Sequence, residues 1–153
     1  MLALLFLLVL GTPLDTPQAH FWYDQLLAES GYGRLPHERA AFLIQEPGGT
    51  LTTQPWEVSG IRHASYRGAI PQRAIAIVHT HPRGEPHPSS RDRAEARRLG
   101  IPVIVVTSEG VIAAMPDGLL QFIPSEARDL RCTHAERAAA AAGGTGDPSR
   151  CSG

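Results

Sequence analysis

The feature that most constrains the fold is a strand, a loop, a helix and a second strand that follow one another between residues 73 and 107. RAIAIVHTH (73–81) and PVIVVT (102–107) both contain the apolar run of a buried core strand. Between them, SSRDRAEARRLG (89–100) begins with serines that can cap a helix, carries arginines near its end and finishes on glycine. These signals predict a helix between two core strands and therefore an α/β domain.

The remaining apolar segments complete this domain. The chain has 153 residues, which is enough for one domain with a core and too few for two. Pro55 restricts the strand that contains it to a sheet edge or a bulge. The further predicted elements are a helix over 18–30 and strands over 39–44, 50–58, 111–115 and 119–123. We expect a single domain over residues 18–124, with a mixed, largely antiparallel sheet flanked by helices.

The two ends of the chain differ in composition from this domain. The first ten residues, MLALLFLLVL, are apolar, but a helix of that length spans about 15 Å, half of a bilayer core of about 30 Å. Residues 1–17 are therefore either a signal peptide with its spacer or a buried apolar segment, and both export and a cytoplasmic location stay open. Residues 125–142 are Ala-rich and favour a helical extension, whereas 143–153 favour a disordered tail.

Charge and cysteine content limit the possible partners. The net charge is -1, and the 14 basic residues, all arginine, form no basic run, so we expect no nucleic-acid partner. Membrane contact is expected only through the N-terminal segment. Cys132 and Cys151 can form a disulfide in an exported chain and are thiols in a cytosolic one.

The residues that carry chemistry lie directly after the first core strand, in HTHPRGEPHPSSRD (79–92). His79 and His81 project to the same side because side chains two residues apart share one face of a strand. Asp92 lies in the first turn of the next helix, where the helix dipole stabilises a carboxylate. Two imidazoles, one carboxylate and an open position are typical of a catalytic zinc site.

The spacing H-x-H-x7-S-x2-D, formed by His79, His81, Ser89 and Asp92, resembles the JAMM, or MPN+, signature of JAB-domain zinc metalloproteases. Members of that family include the deubiquitinating subunit of the proteasome lid and small bacterial and archaeal relatives. The resemblance extends to the order of elements from about residue 20 to 123. The chain has no obvious long insertion of the kind that helps eukaryotic members grip ubiquitin, so it is most similar to the small bacterial type.

The resemblance implies roles for five residues. His79, His81 and Asp92 would bind one Zn²⁺, and Ser89 would donate to the oxyanion of a tetrahedral intermediate. The family also needs a glutamate as general base. Glu38 is favoured because it directly precedes a buried strand. The other candidates are Glu29, Glu46 and Glu57. The implied activity is hydrolysis of a peptide or isopeptide bond in a protein or peptide, with ubiquitin-like proteins among the candidate substrates.

Other interpretations of the same residues stay open at this level. The histidine pair can be a surface feature, Ser89 can serve only as a helix cap, and Asp92 can be only a first-turn acid. The chain can also be a non-catalytic MPN-like scaffold or binding module. A third interpretation is that the chain belongs to a DNA-repair branch of the family, although that branch has HNHPSG where this chain has HTHPRG. His63 and His87 are interpreted as loop histidines.

Overall fold

A computed structural model describes residues 13–57, 66, 68–82 and 85–124. The predictions for the N-terminal apolar segment, for residues 125–153 with both cysteines, and for His63 lie outside these residues. Among the described residues, no helix is long and apolar enough to cross a membrane.

The described part contains two helices and six strands in one mixed sheet. The sheet order is β2-β1-β3-β4-β5-β6, with β3 and β4 parallel and the other neighbours antiparallel. Along the chain the elements are α1 (Pro17–Glu29), β1 (Ala40–Gln45), β2 (Leu51–Pro55), β3 (Ala74–Thr80), α2 (Ser90–Leu99), β4 (Val103–Val106), β5 (Val111–Ala114) and β6 (Leu120–Ile123). The predicted α/β class and the flanked, largely antiparallel sheet are confirmed.

The two helices pack on opposite faces of the sheet. Tyr23 and Leu27 of α1 lie in one buried cluster with Leu43, whereas Ala96 of α2 lies in the other with Phe42. Neighbouring residues of β1 thus point to different cores, as the pleat of a strand requires. Because both faces are covered, the central strands are apolar except at the C-terminal ends of β1 and β3.

Local signals fix the ends of both helices. The Thr16 hydroxyl accepts the backbone N–H of Ala19, and Pro17 occupies the first position of α1, where its missing N–H costs nothing. Helix α2 begins with a capping box between Ser89 and Asp92 and ends at Gly100, which adopts the left-handed conformation with φ 70°. The second strand lies at a sheet edge, as Pro55 predicts.

Candidate metal centre

Helix α2 joins two parallel strands, and this connection creates the site. A crossover helix runs back against its strands, so the N-terminus of α2 lies near the C-terminal end of β3. His79 lies at that end of β3, His81 directly follows the strand, and Asp92 occupies the first turn of α2. The outer rim of the carboxyl ends of parallel strands is a common place for binding sites in α/β proteins.

Each of the three side chains offers one ligand atom, and these atoms lie within 4.8 Å of one another. The Nε2 atoms of His79 and His81 are 3.0 Å apart. Asp92 Oδ1 lies 3.5 Å from His79 Nε2, and the other carboxylate oxygen, Oδ2, lies 3.7 Å from His81 Nε2. Ligands at about 2.0–2.1 Å from a tetrahedral zinc ion are separated by about 3.3 Å, close to these three distances. His79, His81 and Asp92 therefore form a group that could hold a metal ion.

The surroundings of both imidazoles suit metal binding. His81 Nδ1 lies 2.9 Å from the backbone carbonyl of Glu85, which can only accept, so Nδ1 donates to it and Nε2 is the ring nitrogen that faces the cluster. Burial lowers the pKa of His79 to about 4, with His81 acting in the same direction and the Asp92 carboxylate opposing it. An imidazole that stays neutral at pH 7 is the form that binds metals.

The capping box orients Asp92. Its carboxylate accepts the backbone N–H of Ser89 at 2.7 Å, while the Ser89 hydroxyl accepts the backbone N–H of Asp92 at 3.2 Å. A hydroxyl has one proton and two lone pairs, so Ser89 can cap the helix and still donate its proton to another group. Capping and oxyanion stabilisation by Ser89 are therefore compatible.

Glu38 lines the same groove as the His-His-Asp cluster. The other three glutamates considered from the sequence do not line it, although the structure describes all of them. One of them, Glu46, lies beyond the far end of β1 and pairs with Arg73 at 3.0 Å. The sequence preference for Glu38 is consistent with this placement, although its role as a base stays a prediction.

Thr80 holds the backbone beside Glu38. Its hydroxyl accepts the backbone N–H of Arg39 at 3.0 Å, and its own backbone N–H donates to the Arg39 carbonyl at 2.9 Å. The residue between the two histidines is thus buried against the segment that carries Glu38. Sequence reasoning missed this contact because the partners are 41 residues apart.

Two further groups complete the description of the groove. His87, interpreted from the sequence as a loop histidine, is exposed and lies 3.6 Å from Glu85, outside the metal cluster.

An aromatic cluster of Phe42, Trp56 and Tyr66 also lines the groove. None of these three aromatic residues stood out in the sequence, where only Pro55, beside Trp56, gave a signal, and that signal was for an edge strand.

Comparison with protein families decides the relationship. The family model for prokaryotic homologs of the JAB domain matches residues 23–120, which include every residue of the cluster. The chain belongs to this prokaryotic JAB family. No curated protein matches the chain. The JAB assignment agrees with the resemblance seen in the sequence, and the matched range ends within β6.

Proposed function

We propose that this JAB-domain protein is a zinc-dependent hydrolase that cleaves a peptide or isopeptide bond. The observation that carries the proposal is the arrangement of His79, His81 and Asp92 on the same groove as Glu38. That groove encloses about 1200 Å³, enough for several residues of an extended substrate. The proposed substrates are proteins or peptides, and ubiquitin-like proteins are among them.

The proposed ligands are the Nε2 atoms of His79 and His81 and the carboxylate of Asp92. Two nitrogens and one oxygen suit zinc and leave a fourth position open, as catalytic zinc sites do. When bound, zinc supplies a Lewis acid for the carbonyl and lowers the pKa of water toward ~7. The carbonyl of Glu85 fixes the ring of His81, and the helix cap fixes Asp92.

The protein side chains would move the protons. Glu38 accepts a proton from the attacking water while the water oxygen bonds to the scissile carbon. The Ser89 hydroxyl donates a hydrogen bond to the carbonyl oxygen as negative charge develops there. When the carbon–nitrogen bond breaks, Glu38 returns its proton to the leaving amine. Water and one amide thus give a carboxylic acid and an amine, without an acyl-enzyme.

The test separates metal binding from catalysis. Glu38→Gln keeps the size of the side chain but removes the base. Zinc content and hydrolysis of a mixed peptide and isopeptide library would be measured together. We expect the variant to retain zinc and to lose at least about 100-fold of the hydrolysis rate.

Glu46→Gln is the matched control, because Glu46 lies outside the groove, and it should cleave as the wild type does. A Glu38→Gln variant that cleaves at the wild-type rate would disprove the assigned base. A zinc-loaded wild-type protein that cleaves nothing in the library would instead favour the non-catalytic scaffold.

A further inference from the structure

The groove continues from the metal cluster over an apolar floor. Phe42, Ile77 and Val103 are directly paired on three adjacent strands and point to the α2 face of the sheet. All three line the groove, one row of the sheet behind His79. A floor of this kind offers nothing to a polar or charged group, but it favours an apolar side chain.

Trp56 lies beside this floor, in the same row of the sheet as His79, with Ala40 between them. Its backbone N–H donates to the Ala40 carbonyl at 2.8 Å, and Ala40 is paired with His79 on the other side. Trp56 and His79 are therefore two strand spacings apart, or about 10 Å. An extended peptide covers that distance in about three residues. A substrate held at the metal would reach Trp56 with residues close to its scissile bond.

The indole nitrogen of Trp56 has no partner in the free groove. The ring lies 5.2 Å from Phe42 and 5.4 Å from Tyr66, measured between centroids, in an aromatic cluster. Among the described residues, Trp56 Nε1 is the buried side-chain nitrogen that lacks a hydrogen bond. Burying an N–H without an acceptor costs about 1–3 kcal/mol, so such groups usually have a partner. An entering carbonyl would meet no competing acceptor from the part of the chain that the structure describes.

Two exposed apolar side chains line the same groove. Leu35 is 44% exposed and Ile70 is 41% exposed, although both are large and apolar. Leu35 lies three residues before Glu38, and Ile70 belongs to the segment that leads into β3. Exposed apolar groups that meet at one groove indicate a binding surface.

We propose that this groove binds a bulky apolar side chain of the substrate, within about three residues of the scissile amide, and that Trp56 donates its indole N–H to a main-chain carbonyl of the same substrate. The inference rests on the proposed function and narrows its substrate class to chains with a large apolar residue near the cleaved bond. Because the indole nitrogen is almost fully covered, the Trp56 or Tyr66 ring must turn aside as the substrate enters.

The test is a binding measurement on the metal-free protein, so it requires no turnover. The probes are N-acetyl-phenylalaninamide and N-acetyl-glycinamide, which differ only in the side chain. The protein has two tryptophans, and their indole N–H signals can be followed by NMR. Trp22 donates to the Leu51 carbonyl and serves as the internal control. We expect the phenylalanine probe to shift the Trp56 signal but not the Trp22 signal, and to bind at least tenfold more tightly than the glycine probe.

Variants assign the contacts. Trp56→Phe keeps an aromatic ring and removes the N–H, so it should lower the affinity for the phenylalanine probe about fivefold. Ile70→Ser should lower it about threefold, whereas Phe21→Ser, which removes an exposed apolar group of α1, should not.

The outcomes separate this inference from the proposed function. Equal affinity for the two probes, an unchanged affinity of Trp56→Phe, or no binding of either probe at its solubility limit overturns the inference, even if the protein binds zinc and cleaves amides. If the protein binds the phenylalanine probe preferentially but takes up no zinc, the proposed apolar subsite is supported. The same result would refute the proposed zinc-dependent hydrolase.

Discussion

Replacing Thr80 by valine tests whether the residue between the two histidines positions the general base. Valine has nearly the same shape as threonine but has no hydroxyl, so the backbone N–H of Arg39 loses the acceptor that lies 3.0 Å away. Thr80 is fully buried, and its partner Arg39 directly follows Glu38 in the chain. The backbone bond from Thr80 N–H to the Arg39 carbonyl remains, so the strand pairing should persist.

The expected magnitude follows from the single lost bond. Leaving a buried donor without an acceptor costs about 1–3 kcal/mol, and we expect the lower half of that range because Arg39 is only half-buried. For a chain of 153 residues each kcal/mol corresponds to roughly 2–4 °C in Tm. Loosening the backbone beside the base should also lower the hydrolysis rate, by about tenfold or more, since small displacements of catalytic groups are costly.

The assay combines denaturant unfolding, zinc content and hydrolysis for Thr80→Val and Thr80→Ser. The serine variant keeps the hydroxyl, so it should regain most of the hydrolysis rate even though it loses a buried methyl group. Zinc content should stay at the wild-type level in both variants, because neither change removes a ligand. A valine variant that unfolds at the wild-type denaturant concentration and cleaves at the wild-type rate would refute the role given to Thr80.

Three further predictions concern the helix that follows the histidines and the metal. Ser89→Ala removes the helix cap and the oxyanion donor, so it should lower the free energy of unfolding by about 1 kcal/mol and kcat by about 100-fold. Ser89→Asp keeps a capping side chain, so it should lower only kcat. Thermal unfolding and kinetics distinguish the two variants. Gly100→Ala should lower the free energy of unfolding by about 1 kcal/mol, because alanine is strained at φ 70°. Gly48 also lies in open space but has no positive φ, so Gly48→Ala should change that free energy little. Equal effects of the two variants in denaturant unfolding would contradict this. Removing zinc with a chelator should lower the Tm of the wild-type protein, and a Tm that does not depend on zinc concentration would argue against a bound ion.

The parts of the fold that local chemistry determines could be predicted from the sequence. The capping box joins residues three apart, and the glycine that ends α2 needs no distant partner, so the interval 89–100 closely matches the observed Ser90–Leu99. The predicted strand over 39–44 likewise matches Ala40–Gln45 to within one residue. The proximity of His79 and His81 follows from the two-residue period of a strand.

What could not be predicted depends on strand register. Trp56 faces the groove because β2 pairs with β1 and β1 with β3 in one particular alignment. Apolar strands that are buried on both faces do not specify that alignment through their pattern. The same holds for the contact between Thr80 and Arg39, which depends on the pairing of β1 with β3. The groove beyond the metal cluster therefore emerges only from the assembled sheet.

The most direct test of the central claim is the metal content of the purified protein, measured by elemental analysis beside His81→Ala and His87→Ala. Both variants remove one histidine from the same loop region, but only His81 belongs to the cluster. We predict about one zinc ion per chain in the wild type and in His87→Ala, and none in His81→Ala. A wild-type protein without zinc after reconstitution at neutral pH, or a His81→Ala variant that retains it, would contradict the account.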